Sequence, residues 1–296
     1  MLTREIDRLI EAALAEDMPH GDITSETLIP PRQLSRAILM AKQDGVMAGL
    51  EVFCRVFHRL DPRTSINRHT RDGAAFRAGD VLAEVEGKSV VLLKAERTAL
   101  NFLQRLSGIA TTTRKFADAV AGTKARILDT RKTTPGLRAL EKYAVRMGGG
   151  ENHRLNLSTM VLIKDNHLKL VGDVGEAVRR ARAGIKRGVL IEVEATNFDQ
   201  ARAALESGAD WIMLDNMPPG RMRKIVTWVA GRCQLEASGN VSLKNVRRVA
   251  ETGVDYISIG KLTHSYVSVD LSLEFLGELD RTINRTLLPS GTKETT

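Results

Sequence analysis

Between residues 129 and 167 the chain reads DTRKTTPGLRALEKYAVRMGGGENHRLNLSTMVLIKDNH. Its cations stand beside glycines and at the ends of apolar runs: Arg131 and Lys132 in DTRKT, His153 and Arg154 in GGGENHR, Lys164 in LIKDNH. Groups of this kind at strand ends build a site for a polyanion. Arg131 and Lys132 also precede a predicted helix, with Thr134 as its N-cap and Pro135 as its first residue, whose free N–H groups attract anions. On that helix Leu137, Leu140, Ala144 and Met147 form an apolar stripe, and Arg138, Lys142 and Arg146 line another face, where Lys142 is equally well read as a solvated charge. Lys164 closes a buried strand, a place that suits an anion clamp or a Schiff-base nucleophile. For His153 and His167 a hydrogen-bonded structural role stays open beside a chemical one.

Carboxylates and glycines supply the second half of the pattern. In IEVEATN, Glu192 and Glu194 share one strand face opposite Ile191 and Val193. Glu194 and Asp215 end successive strands, so together they could hold Mg²⁺ with its waters and stabilise a cationic transition state. The competing reading makes them interior ion-pair partners for neighbouring lysines. Ser238, Gly239 and Asn240 precede a helix that Ser242 is expected to cap, and Gly260 and Lys261 sit in the next such loop. Loops after the last two strands of a barrel commonly bind a phosphate through backbone N–H groups, so the pair points to a phosphate monoester. Arg97 falls in the expected first turn of the helix AERTALNFLQRLSGIATTT, with Leu100, Leu103 and Leu106 inward. The helix dipole opposes a cation there, which calls for a bound anion, a partner, or an ion pair with Glu96 or a nearby acid.

The elements that must position these groups follow from periodicity. The first third mixes an opening helix, a strand over 36–41, a helix over 50–60 and short antiparallel strands in DGAAFRAGDVLAEVEGKSVVLL, which reads as a small α/β sandwich. From about residue 109 strands alternate with helices. Strands are predicted over 126–130, 160–164, 189–194, 211–215, 234–237 and 256–259, with helices such as 173–187, 198–207 and 243–251 between them. Such alternation means parallel strands with right-handed crossovers. Six strands in about 160 residues fall short of the roughly 250 of a full eight-stranded barrel, so an incomplete, open barrel is expected. Domains are therefore set at 1–108 and 109–270, with a C-terminal helix over 271–288 packing back on the first domain and a frayed tail to 296.

Composition narrows the function classes. The chain has 296 residues, 43% of them apolar, enough for a substantial core. The net charge of +8 invites a nucleic-acid reading, yet aromatics make up only 4% of the chain and the basic run Arg179, Arg180, Arg182, Lys186 and Arg187 falls on a helix face. Small anionic substrates are the better use for the charge. Charges interrupt the apolar stretch of the N-terminal MLTREIDRLIEAALAED, so it reads as an amphipathic helix rather than a signal peptide or membrane span, and a cytoplasmic protein is expected. Cys54 and Cys233, far apart and without CxxC spacing, support neither a disulfide framework nor a zinc site.

Nearly the entire chain resembles the quinolinate phosphoribosyltransferase family, through the ordered blocks GDIT, ERTALNFLQRLSGIAT, TRKTTPGLR, GGGENHR, LIKDNH, EVE, LDN, EASGN and GKLTHS. The resemblance implies a type II phosphoribosyltransferase fold of α/β sandwich plus open barrel, and transfer of phosphoribosyl from phosphoribosyl pyrophosphate to quinolinate with loss of carbon dioxide, in NAD biosynthesis. It implies Mg²⁺ and a homodimer in which one subunit's sandwich covers the other's barrel mouth. By the same match Arg97 would reach quinolinate across that interface. Arg131, His153, Arg154 and Lys164 would line the dicarboxylate pocket, Lys132 would reach phosphoribosyl pyrophosphate, and Glu194 and Asp215 would face the ribose and Mg²⁺. The loops at Ser238, Gly239, Asn240 and Gly260 would take the 5-phosphate. Met147, Thr159 and Lys261 depart from the commonest pattern of the family without removing a proposed catalytic group. Two other classes remain on the residues alone: a barrel lyase or aldolase with Lys164 or Lys132 as Schiff base, and a non-catalytic anion-binding paralogue.

Overall fold

A computed structural model describes residues 3–278. In chain order the first half comprises α1 (Thr3–Asp17), α2 (Ile23–Leu28), β1 (Leu34–Ala41), β2 (Gly45–Val46), α3 (Leu50–Leu60), β3 (Ser65–Arg68), β4 (Ala75–Phe76), β5 (Val81–Lys88) and α4 (Ser89–Ala119). The second half comprises β6 (Arg126–Leu128), α5 (Arg138–Met147), β7 (Val161–Ile163), α6 (Asp165–Val171), α7 (Val174–Gly184), β8 (Ile191–Ala195), α8 (Phe198–Glu206), β9 (Trp211–Asp215), α9 (Pro219–Val229), β10 (Gln234–Ser238), α10 (Val246–Ala250), β11 (Tyr256–Ser258), α11 (Lys261–His264) and β12 (Leu271–Glu278).

An antiparallel sheet in the order β12-β1-β5-β3 forms the first layer. Along β1, Ala37, Leu39 and Ala41 are buried at every second residue, the period of a half-buried strand. The amphipathic α1 buries Ile6, Ile10 and Leu14 at four-residue spacing. In α3, Phe53 and Phe57 lie one turn apart and meet at a tilt of 56° with ring centroids 5.0 Å apart.

The second layer is a parallel sheet in the order β6-β11-β10-β9-β8-β7. Each strand from β7 to β11 neighbours the next in sequence, while the first strand, β6, closes against the last, β11. The barrel is thus open between β6 and β7, as its length predicted. Glu151 partly fills the seam, its backbone bridging Leu128 on the free edge of β6.

Three expectations fail. Residues 271–278 are a strand, not a helix, and pair antiparallel with β1. Leu271 and Leu273 alternate inward with Ser272 and Glu274 outward, a two-residue period that a distant partner strand stabilises. The rest of that predicted helix lies outside the described residues. The stretch SVVLL is not a strand but the start of α4, and Arg97 sits within that helix rather than in its first turn. The run 173–187, by contrast, starts as predicted, with Asp173 accepting from the Glu176 N–H, and its basic face pairs Arg179 and Arg180 with Glu176 and Arg182 with Asp210.

The long α4 joins both layers. Its residue Gly108 is crossed closely by the segment entering β12: a Cβ there would lie 2.3 Å from the Val267 carbonyl oxygen and 2.9 Å from Ser268 Cα. The same crossing is tied by Val269 N donating to Gln104 O at 3.1 Å and by Gln104 Nε2 donating to Leu271 O at 2.7 Å. Alanine is intrinsically the better helix former by about 1 kcal/mol. The clash with backbone outweighs that gain, so Gly108→Ala should destabilise the protein by about 1–3 kcal/mol in urea unfolding. A neutral or stabilised variant would show that the crossing yields freely.

Candidate active site

The chain leaves β6 through Asp129, a carboxylate with zero exposure. It pairs with Lys142 Nζ from α5 and accepts from Asn152 Nδ2 at 2.6 Å and the His153 N–H at 2.9 Å. Lys142 is therefore buried, not solvated, at 3% exposure: α5 lies between α4 and the end of β6 and has little solvent face at this point. Burial pushes the Asp129 carboxyl up and the Lys142 ammonium down, and their mutual attraction opposes both shifts.

Thr134 and Pro135 do not start α5, which begins at Arg138. Instead they belong to a loop anchored from several sides. The Thr134 N–H donates to Glu141 Oε2 at 3.1 Å, Arg105 pairs with the fully buried Glu141, and Arg138 Nε donates to Thr133 Oγ1 at 2.9 Å. Thr263 Oγ1 donates to the Lys132 carbonyl at 2.8 Å. Arg131 and Lys132 are thus presented by a loop whose backbone is fixed on both sides.

At the carboxyl ends of the parallel strands lies a cavity of about 700 Å³. Arg131, Lys132, His153, Arg154, Lys164, Glu194 and Asp215 all line it, as do Ser238, Gly239, Asn240 and Gly260. Arg97 does not: it is exposed on α4 and has no ion-pair partner among the described residues. Lys261, one of the departures from the family pattern, also lines the cavity.

The Nε atoms of Arg131 and Arg154 are buried without a hydrogen-bond partner among the described residues. Burial, followed by repulsion from Arg131, lowers the Arg154 guanidinium. Two guanidiniums close enough to repel, each with an unmet donor, are suited to an anion between them. In the same cavity Lys164 Nζ stands 3.7 Å from Glu194 Oε2. Burial raises the Glu194 carboxyl, Lys164 opposes this and Asp215 reinforces it. Glu194 thus has the lysine neighbour that the ion-pair reading expects, and it also feels Asp215.

The floor at β9 and β10 is a hydrogen-bonded chain. Asn240 Nδ2 donates to Asn216 Oδ1 at 2.9 Å, and Asn216 Nδ2 donates to Asp215 Oδ2 at 2.8 Å. Both asparagines have φ near +51°. Gly239 between them has φ +92°, and a Cβ would lie 2.2 Å from Asn216 Oδ1, so only glycine fits.

Sequence reasoning missed Asp129, Asn216 and Glu236, and gave Glu192 a face but no role. Glu192 and Glu236 are fully buried in the barrel interior, with His153 Nε2 2.8 Å from Glu192 Oε2 and 3.3 Å from Glu236 Oε2. The signal was the strand period: each stands two residues before a cavity group, Glu192 before Glu194 and Glu236 before Ser238. The three ligand atoms lie within 4.8 Å of one another, and the His153–Glu192 contact is at hydrogen-bond distance. Burial and then Glu236 push the Glu192 carboxyl up to about 7. His167, in contrast, is structural: its Nδ1 accepts from the Lys164 N–H at 2.9 Å and helps cap α6.

Comparison with known proteins completes the picture. Residues 22–107 match the model of the quinolinate phosphoribosyl transferase N-terminal domain, and 109–274 match that of the C-terminal domain. The chain belongs to the quinolinate phosphoribosyltransferase family. It is 42% identical to the Bacillus subtilis protein named "Probable nicotinate-nucleotide pyrophosphorylase (carboxylating)" over 91% of this chain and 93% of that one. It is 38% identical to quinolinate phosphoribosyltransferase (decarboxylating) 2 of Nicotiana glauca over 96% of this chain and 86% of that one. The crystal structure of NadC from Streptococcus pyogenes superposes with a TM-score of 0.92 at 41% identity, covering 95% of this chain and 99% of that one.

The buried histidine sets a pH dependence. Burial alone would lower His153, but its hydrogen bond to Glu192 and the neighbouring Glu236 carboxylate raise it to about 10, against about 6.5 in an unfolded chain. The folded state therefore binds this proton more tightly, and the stability it lends is complete below about pH 6.5 and lost as pH rises towards about 10. Urea midpoints should fall across that window, and His153→Gln should flatten the fall. An identical slope in the variant would remove His153 as its source.

Proposed function

We propose that this chain transfers the phosphoribosyl group of phosphoribosyl pyrophosphate to quinolinate and releases carbon dioxide, giving nicotinate mononucleotide and pyrophosphate in NAD biosynthesis. The observation that carries this reading is one cavity lined both by Arg131 and Arg154, whose Nε groups are buried without a partner among the described residues, and by Glu194 with Asp215. Quinolinate brings two carboxylates, which suit Arg131, Arg154, Lys164 and His153. Lys132 lies where it can meet the pyrophosphate, and the loops at Ser238, Gly239, Asn240 and Gly260 suit the 5-phosphate.

The bond from ribose C1 to the pyrophosphate oxygen breaks as the pyridine nitrogen bonds to that carbon. Glu194 and Asp215 stabilise the positive charge that develops on the ribose. The substrate-clamping cations hold the ring so that attack is effectively unimolecular. The positive charge of the quaternised nitrogen then stabilises the electron pair left on the adjacent ring carbon when the 2-carboxylate departs as carbon dioxide, and that carbon takes up a proton. The all-oxygen donor set of Glu194 and Asp215 fits Mg²⁺. When bound, that ion would neutralise charge on the departing pyrophosphate. A Schiff-base lyase leaves Arg131, Arg154 and Asp215 without a task, and a non-catalytic anion binder leaves the Glu194–Asp215 pair without one.

The working unit we propose is a cytoplasmic homodimer in which Arg97 completes the neighbour's cavity. Its exposure on α4, away from its own cavity and without an ion-pair partner among the described residues, supports this. No helix among the described residues is long and apolar enough to cross a membrane.

Pyrophosphate release should require quinolinate, phosphoribosyl pyrophosphate and Mg²⁺ or Mn²⁺, and should stop in excess chelator. Arg131→Ala and Arg154→Ala should each weaken quinolinate use by about 1.5–3 kcal/mol, roughly ten- to hundredfold in kcat/KM, with little change for phosphoribosyl pyrophosphate. Unchanged quinolinate dependence would take both residues out of the pocket, and full activity in chelator would remove the metal.

Arg97→Ala and Lys164→Ala should each be nearly inactive alone and regain activity when their subunits are mixed. Half of randomly mixed dimers combine the two variants and carry one intact site, so about a quarter of all sites should work. If mixed dimers form and activity does not return, Arg97 serves its own chain or only its structure.

A further inference from the structure

His153 is held by main chain and side chain at once. Its N–H donates to Asp129 Oδ1 at 2.9 Å, and its carbonyl accepts from Lys142 Nζ at 3.1 Å. Its ring Nε2 lies against two carboxylates from different strands, Glu192 of β8 and Glu236 of β10, both with zero exposure. Glu192 Oε1 and both oxygens of Glu236 have no hydrogen-bond partner among the described residues. Two under-satisfied carboxylates in a barrel interior are a poor way to fill space, because apolar side chains of the same volume avoid the desolvation cost. Their effect falls on the imidazole.

With Nε2 turned to the glutamates, Nδ1 is the ring atom left for the cavity, and it makes no hydrogen bond among the described residues. A neutral imidazole that keeps its proton on Nε2 would present an Nδ1 lone pair to the cavity and repel an incoming carboxylate. An imidazolium presents a charged N–H there and attracts it. The charged groups around His153 are Glu192 and Glu236 at the ring, Asp129 and Lys142 at its main chain, and Arg154, whose guanidinium is also drawn by Glu192. The nearest to the ring are both acids.

We infer that Glu192 and Glu236 are positioning residues: they clamp His153 by Nε2 so that its Nδ1–H becomes a fixed, charged donor to one carboxylate of the dicarboxylate substrate. This rests on the reading of the pocket as a quinolinate site. It adds two residues that act through a third and decide whether that third attracts or repels the substrate.

The test pairs nuclear magnetic resonance of enzyme with ¹⁵N-labelled histidine with kinetics of Glu236→Gln and Glu192→Gln. In the ligand-free enzyme at about pH 8, both ring nitrogens of His153, assigned by its loss in His153→Gln, should carry protons. Glu236→Gln should move its titration down towards the ordinary value of about 6.5. At about pH 8 the variant's KM for quinolinate should rise roughly tenfold or more, while that for phosphoribosyl pyrophosphate stays put. At about pH 6, where imidazole protonates unaided, quinolinate binding should recover. A role confined to packing would lower stability without this split or this pH rescue. If Glu236→Gln does not fold, the Glu192→Gln variant and the wild-type spectrum carry the test. A neutral His153 in an enzyme that turns over quinolinate would overturn the proposal alone, as would a pH-independent quinolinate KM in the variants. So would stoichiometric Mn²⁺ binding that displaces the Nε2 proton and is lost in Glu236→Gln. An unmodified enzyme with no quinolinate-dependent pyrophosphate release would instead overturn the pocket's reading, and this inference with it.

Discussion

The contact between Asp129 and Lys142 organises the site. A carboxylate buried at the end of β6 requires several donors, and it finds three on two separate pieces of chain: Lys142 on α5, and Asn152 with the N–H of His153 in the loop that follows it. Removing any one donor would leave charge in a place where water cannot compensate. The anchoring of His153 follows from this, and so does the placement of Arg154 next to it. The pair is less a source of net stability than a constraint that selects one arrangement of the loop from many.

A second constraint works from the other side. Arg105 on α4 holds Glu141 on α5, and Glu141 in turn holds the backbone of the loop that carries Arg131 and Lys132. Consecutive residues of α5, Glu141 and Lys142, thus fix the two cation-bearing loops from adjacent faces of one helix. Both are fully or nearly fully buried. The site is consequently built by charged residues in the interior as much as by the cations that face the cavity.

Much of this was legible in the sequence because barrel strands end abruptly in polar residues. Trp211–Asp215 was placed to the residue, and the other five strands to within about two residues, the usual fraying of such boundaries. Eleven of the twelve residues singled out line the cavity, since a charge or glycine that terminates an apolar run has few other places to go. What failed depended on distant partners. SVVLL looks extended because of its β-branched pair, yet Leu92, Ala95 and Ala99 continue the helical stripe of α4. Residues 271–278 alternate as a strand should, but their partner β1 lies far away in sequence. Lys142 has the spacing of a surface charge, and only the fold brings Asp129 beside it. Glu236 sits in an apolar run, and nothing local announces that His153 will reach it.

The open seam between β6 and β7 has a consequence for how such a site can diverge. Because β6 closes against β11, the segment 151–160 bridges the gap as loop, holding only one β-bridge to the barrel. His153 and Arg154 are therefore attached where the hydrogen-bonded ladder is already interrupted. Lengthening this segment beyond Arg154 breaks no strand pairing, and doubling a flexible loop costs only about 0.6 kcal/mol in closure entropy. The cavity wall at β9 and β10, proposed above for the 5-phosphate, is by contrast stitched into its strands through Asn216, Gly239 and Asn240 and has no such slack. Descendants of this architecture are free to alter the acid they accept while keeping the sugar phosphate they act on.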